Sequence, residues 1–377
     1  MKHFPSRFSR AGVIAKIGFG ALMLLGVVAL AAPLLANGRP LIWHDETGTS
    51  FPFLRTFFAG DAPEKRVDEF FNYLLLLTLC CSCLGFFRKG KKFVLLTLAL
   101  LCALPFFLVS RRVDKRDWRE LAAQKQCFVI FSPIPYGPFE PAAKPYLAPS
   151  RSHLCGTDEI GRDVASRLIY GARVSLAVGV VSTLLALLIG MPVGLLCGYI
   201  GGKFDLLMMR FVEMLLCFPS FLLLLILMSL GADAHMEESV PLLIGIIAVT
   251  GWIGFATLVR GEVLRLRNAP FIESCRISGV PLYRILFAEL LPNVVAVLVI
   301  AFPFAVAGAI LAESSLSFLG FGVRPPTASW GNLLRQAFDN PLEYWHLTLF
   351  PGIALFLTVI GFHFTGEGLR KIFDVKA

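Results

Sequence analysis

The strongest constraint on this chain is a series of apolar runs, each about as long as a bilayer is thick. A membrane-crossing helix needs about 20 mostly apolar residues. Stretches 17–36, 70–87, 93–109, 174–199, 214–230, 241–259, 294–312 and 347–366 meet or approach that length. Composition agrees: 56% of the 377 residues are hydrophobic and 16% charged, against about 25% charged in a soluble globule. The expected class is an all-α polytopic membrane protein in contact with membrane lipid. The basic start MKHFPSRFSR and the small residues of LAAPLLA would suit a signal peptide. The first run is longer than the roughly 7–15 apolar residues of such a segment, so an uncleaved first span is expected.

The net charge of +9 sits in short clusters between the runs, as expected when Lys and Arg mark cytoplasmic loops. Lys2, Arg7, Arg10 and Lys16 place the N-terminus inside, and Arg370, Lys371 and Lys376 the C-terminus. Arg260, Arg265, Arg267, Arg276 and Arg284 place 260–292 inside, whereas GADAHMEESV (231–240), without Lys or Arg, belongs outside. An even number of spans satisfies all of these. The surplus therefore encodes orientation, and no nucleic-acid partner is expected.

Residues 37–150 read as an extracytoplasmic segment. A mixed polar and aromatic loop opens it, and SPIPYGPFEPAAKPYLAPSRSH (132–153) closes it with six prolines, which forbid a long helix or central strand. Between them lies a candidate membrane hairpin, 70–109. The cations of RKGKK (88–92) favour a cytoplasmic turn there, while the five of RRVDKRDWRE (111–120) would then lie outside, diluted by three acids. Eight spans are expected over six. Cys80, Cys81 and Cys83 read as small buried hydrophobes. Cys127 and Cys155 fall in the segment placed outside, where oxidation is possible.

No enzyme can be assembled from these motifs. GYIGGKF (198–204) is one residue too short for a phosphate loop, and Phe204 stands where Ser or Thr would hold magnesium. His153, His235, His346 and His363 are scattered without zinc-type spacing. No cofactor is expected on this chain, and ATP chemistry must come from a partner. Gly190, Gly194 and Gly198 recur every four residues, a spacing that lets helices approach closely, within one chain or between chains.

A polar island interrupts the greasy sequence at FIESCRISGVPLYRILFAELLPN (271–293), with Glu273, Arg276, Arg284 and Glu289. Leu282, Ile285, Leu286, Glu289 and Leu290 have helical spacing. Gly279 divides the island into two short helices, since glycine takes the positive φ of such a corner. Pro292 falls where the next helix is expected to begin. Residue physics leaves two readings open: a helix docking in a partner's groove, or an interfacial helix anchored to lipid headgroups.

Glu273, Gly279, Leu291 and Pro292 have the order and spacing of the coupling loop of bacterial ABC importer permeases, which this chain resembles. Ser274 and Cys275 replace that family's two alanines, and Arg276 completes the segment. HLCGTDEIGRDVASRLIYGARVSL (153–176), GYIGGKFDLLMMRFVE (198–213), ESSLSFLGFGVRPPTASWGN (313–332) and FPGIALFLTVIGFHFTGEGLR (350–370) are similar to the C-type permease subunit of dipeptide, oligopeptide and nickel importers. Glu213 stands where that family commonly has aspartate. Residues 37–150 depart from its short first loop and are similar to a long-loop, microcin-type peptide branch. The 70–109 hairpin has no counterpart.

The resemblance implies a type I ABC importer permease fold with extra N-terminal spans or an extracytoplasmic insertion. It divides the chain into 1–36 (N-terminus and first span), 37–150 (exterior segment) and 151–377 (permease body). The implied partners are a homologous second permease subunit, two ATPase subunits carrying ATP and Mg, and an extracytoplasmic solute-binding protein at the bacterial inner membrane. Gly156, Thr157, Asp158, Gly161, Arg162, Asp163 and Glu313 become candidates for the exterior mouth or a partner contact. Thr157 or Asp158 could equally cap the following helix. The alternative class is a membrane scaffold with a permease-like body that does not transport.

Overall fold

The computed structural model describes residues 12–45, 48–54, 65–84, 118–124, 128–232 and 239–373. In chain order its elements are α1 (Val13–Leu30), α2 (Ala32–Leu35), β1 (Ile42–Asp45), β2 (Gly48–Ser50), α3 (Lys65–Leu84), α4 (Trp118–Gln124) and β3 (Phe128–Ile130). They continue with α5 (Val164–Ile200), α6 (Gly202–Leu216), α7 (Ser220–Ala232), α8 (Ser239–Leu266) and α9 (Pro270–Ile277). The last are α10 (Leu282–Leu319), α11 (Trp330–Arg335) and α12 (Trp345–Phe373).

Among the described residues, α1, α5, α8, α10 and α12 are long and apolar enough to cross a membrane. The 37 residues of α5 extend about 55 Å at 1.5 Å per residue, well beyond a hydrocarbon core. The expected span 214–230 is not one helix. α6 and α7 meet at 82°, because Pro219 has no N–H and biases Phe218 away from helical backbone. The hairpin's first apolar run lies in α3, whose helix already starts at charged Lys65 and is not among the candidate spans of the described residues, while 85–117, including RKGKK, lies outside the described residues. So do Lys2, Arg7, Arg10, Cys127, residues 233–238 and Lys376.

The chain forms two compact units, residues 1–22, 176–316 and 356–377 in one and 23–175 with 317–355 in the other. The first is organised around the contact of α5 with α8. A Cβ on Gly194 would lie 2.5 Å from the Ala256 carbonyl and 2.7 Å from Val259 Cβ, and one on Gly198 2.7 Å from Val263 Cβ. The four-residue glycine spacing thus serves packing within the chain. Leu195, Val212, Phe255, Val259, Ile285, Leu290 and Val294 complete this core.

The second unit holds a small antiparallel sheet, order β2-β1-β3, with Trp43 opposite Ser50 and Val129. Buried Trp43 meets Trp118 edge-on, centroids 5.3 Å apart. The proline-rich run contains no helix. Its backbone is tied down by side chains instead: Ser132 Oγ accepts from the Asn37 amide at 3.1 Å and donates to the Ile134 carbonyl at 2.7 Å. Arg173 of α5 is fully buried and joins α1 and α3. It donates to the Ala29 carbonyl at 2.7 Å, Leu30 carbonyl at 3.1 Å, Asn72 Oδ1 at 2.9 Å and Asp68 Oδ1 at 3.2 Å.

Candidate functional site

The polar island folds as expected up to Gly279, and beyond it the second helical segment runs without a break into the following long helix. Pro270 occupies the first turn of α9, where a missing N–H costs nothing. Ile272 is fully buried in the α5–α8 core, with Cys275 and Val280 packed against that core. Glu273, Ser274, Arg276 and Ile277 are exposed, Ile277 to 83%. Gly279 turns the chain at φ +69°, a conformation that strains any residue with a Cβ.

Pro292 is the second residue of the α-helical run Leu291–Leu319, as expected of a helix start, but that run continues without a break from Leu282 through a π turn, and Pro292 is exposed. A proline there removes the bond to Ala288 and crowds that carbonyl. Residues Ile285–Leu290 take up the distortion as a π-helical turn. Asn293 Nδ2 donates to the Glu289 carbonyl at 2.7 Å. Leu291 packs half-buried against the core and anchors the segment, while Glu273, Ser274, Arg276 and Ile277 to Gly279 form its exposed face.

The second candidate group is a closed loop. Asp158, Arg162 and Asp163 are at most 1% exposed. Asp158 Oδ2 receives Arg162 Nε at 2.6 Å and lies 3.3 Å from Arg167 Nε. Asp163 Oδ2 meets His153 Nδ1 at 2.8 Å, and Tyr136 stacks on the His153 ring at 4.5 Å. The Thr157 hydroxyl donates to the Lys144 carbonyl at 2.7 Å and accepts from the Leu147 amide at 2.8 Å.

Neither Thr157 nor Asp158 caps α5. Asp163 does, accepting from the Ser166 amide at 2.8 Å, the three-residue reach an N-cap side chain has. Gly156 and Gly161 leave no room for a side chain, being pressed against the Leu147 and Ala143 carbonyls. The ion pairs are thus made within the chain, and Glu159 and Ile160 are what the loop exposes. Burial beside Asp163 pushes the Cys155 thiol up to about 11, desolvation being the larger cause. Cys155 is a free thiol. Glu313 is fully buried in α10, accepting from Ser314 Oγ at 3.2 Å. It belongs to the first unit and the loop to the second.

Sequence reading missed Arg167 and Arg173 and took His153 only for a scattered histidine, though these are the partners that close the networks. For the two arginines the signal was present: an arginine inside an apolar helical run needs a built partner and is informative by default.

Among the described residues, helices long and apolar enough to cross a membrane flank a short polar helix anchored in the core. The family model described as "Binding-protein-dependent transport system inner membrane component" matches residues 190–377. The dipeptide transport system permease protein DppC of Bacillus subtilis (strain 168) is 40% identical over 231 residues, 61% of this chain and 71% of that one. The glutathione transport system permease protein GsiD of Pectobacterium atrosepticum is 38% identical over 228 residues, 60% and 74% of the two chains. A putative peptide transport system permease of Brucella suis biovar 1 is 32% identical over 280 residues, 72% and 92%. A solved MetNI methionine ABC transporter superposes at TM-score 0.42 and 20% identity, over 55% of this chain and 96% of that one, too loosely to add to the assignment.

The chain belongs to the binding-protein-dependent transport system inner membrane component family. It is a permease subunit of an ABC importer, a family whose members work with a partner permease, ATPases and a binding protein.

Proposed function

We propose that this chain forms half of the translocation pathway of a peptide importer and that α9 seats in a cytoplasmic ATPase. The relatives' names supply the substrate class: dipeptide, glutathione and peptide permeases. In this reading both termini are cytoplasmic in a bacterial inner membrane, and a homologous but different permease supplies the other half. Two ATPase subunits carry ATP and Mg, and a solute-binding protein delivers substrate from outside. ATP binding draws the ATPases together, moves the two permeases' coupling helices and opens the pathway outward. That requires ligands favouring the two states unequally. The 156–163 loop would meet an exterior partner through Glu159 and Ile160, its buried ion pairs holding its shape. Glu313 would lie near the pathway mouth.

One observation carries the coupling assignment. α9 is fixed to the body by Ile272 while presenting Glu273, Arg276 and a nearly bare Ile277, a mixed surface suited to a protein groove.

The test is Glu273→Lys and Gly279→Asp in the reconstituted complex, reading peptide-stimulated ATP hydrolysis and uptake against the amount of inserted permease. Insertion should survive and stimulation should fall. Charge reversal at an interface costs several kcal/mol, and a side chain at Gly279 strains the turn. Normal stimulation and uptake in both variants would refute the coupling role.

A further inference from the structure

The only link between α5 and α6 is a glycine turn. Gly201 (φ +67°) and Gly202 (φ +59°) both have positive φ, which favours glycine, and a Cβ on Gly202 would meet nothing within 4 Å. Packing therefore leaves Gly202 unclamped, and polar contacts on either side set the turn. On the α5 side, Arg276 of α9 donates from Nε to Tyr199 Oη at 3.1 Å, its guanidinium 4.8 Å from the ring centre. On the α6 side, Asp205 takes Arg260 of α8 in a two-pronged bond, Nε at 2.5 Å and Nη2 at 2.6 Å. Arg267, between α8 and α9, reaches the turn itself: its Nη1 would lie 2.9 Å from a Cβ on Gly201.

The geometry points to a two-point clasp: α9 grips the end of α5 through Tyr199 and α8 grips the start of α6 through Asp205, so that displacement of α9 relative to α8 changes the angle between α5 and α6. We propose that Tyr199, Asp205 and Arg260 are positioning residues that turn coupling-helix movement into a change at the Gly201–Gly202 hinge. This rests on the proposed docking of α9 and extends it inward.

Several features fit transmission better than scaffolding. The core beneath α9 is apolar, fixed by Ile272 and by the half-buried Tyr199 ring, so folding has little need of the ring's exposed contact with the Arg276 guanidinium, which is weak. Asp205 and Arg260 are both partly exposed, at 13% and 29% of their side chains, so the pair can exchange with water as the hinge moves. A bidentate arginine–carboxylate bond is strongly directional, which a lever needs and a generic packing contact does not. Strained or special backbone flanked by such contacts is where two-state elements bend.

The experiment uses the full permease complex with its ATPase subunits in nanodiscs, with ATP and vanadate as the only probe. Spin labels are attached through genetically encoded ketone side chains at Leu188 and Leu207, exposed to 61% and 73% on either side of the hinge. In the unmodified complex ATP–vanadate should shift the inter-label distance. Tyr199→Ala and Arg260→Asp should each reduce that shift at least fourfold while the amount of copurified ATPase stays the same. Tyr199→Phe, which keeps the ring contact and loses the hydroxyl, should retain part of it. Pairing Arg260→Asp with Asp205→Arg should restore more than half, which a merely destabilised chain would not do. A full shift in Tyr199→Ala or in Asp205→Asn overturns the clasp, as does an assembled unmodified complex that shows no shift. An unmodified chain that recruits no ATPase overturns the coupling reading as well, which separates the two failures.

Discussion

Replacing Arg173 with methionine tests how α3 and α1 are held to α5. The guanidinium is 0% exposed and serves four acceptors, two of them the Ala29 and Leu30 carbonyls in the last turn of α1. Helix carbonyls there have no intrahelical partner, and removing the arginine strips both. It also leaves Asp68 without its cation. Removing one member of a buried ion pair costs about 3–5 kcal/mol. Asp68 keeps 20% of its side chain exposed, so water recovers part of the loss and about 3 kcal/mol is expected. Equilibrium unfolding of the purified permease in mixed detergent micelles, followed by tryptophan fluorescence, reads this directly. Asp68→Asn should cost less, and the double variant should fall short of the sum by at least about 1 kcal/mol, as coupled neighbours do. A loss below about 1 kcal/mol in Arg173→Met, or strictly additive variants, would refute the reasoning.

Gly194→Val should destabilise the permease strongly, since its Cβ would start 2.5 Å from the Ala256 carbonyl. Overpacking of this kind costs about 1–3 kcal/mol or more, and the same unfolding assay measures it. Cys155, with its thiol pushed up to about 11, should react slowly with a thiol alkylating reagent. The thiolate is the reactive form and makes up only about a thousandth of the thiol at pH 8, so the rate should rise roughly tenfold per pH unit up to pH 10; a rate already at its plateau by pH 9 would contradict the burial. On a background lacking reactive native thiols, a cysteine introduced within 231–240 should label with an impermeant reagent from outside, and one within 264–270 should not; reversed labelling overturns the orientation. A reporter at Lys91 should read cytoplasm and one at Gly137 exterior if 70–109 is a membrane hairpin.

The long helices were legible because bilayer-length apolar runs have few alternatives to helix. Their ends were not. α5 begins at Val164 rather than near 174, since Arg167 and Arg173 look prohibitive until Asp158, Asp68 and Asn72 are seen to receive them. The break at Phe218-Pro219 was hidden by the apolarity of both limbs, which hydropathy reads as one run. Gly279 was readable because only a positive φ explains a glycine between two short helical patterns. Pro292 marked the start of the α-helical run at Leu291, but the π turn that joins that run to the helix from Leu282 has no signature of its own. In the 156–163 loop the charged residues were visible, but burial decides whether a charge faces a partner or its own chain. The spacing Asp158, Arg162, Arg167 does not reveal which.

The central claim is that α9 touches an ATPase, and a photo-crosslinker at Ile277, exposed to 83%, tests it most directly. In the reconstituted complex, illumination should join the permease covalently to the ATPase subunit, and a crosslinker at Leu188 on the apolar face of α5 should not. An intact complex in which Ile277 crosslinks only to lipid, while the ATPase is present and unmodified, would contradict the account.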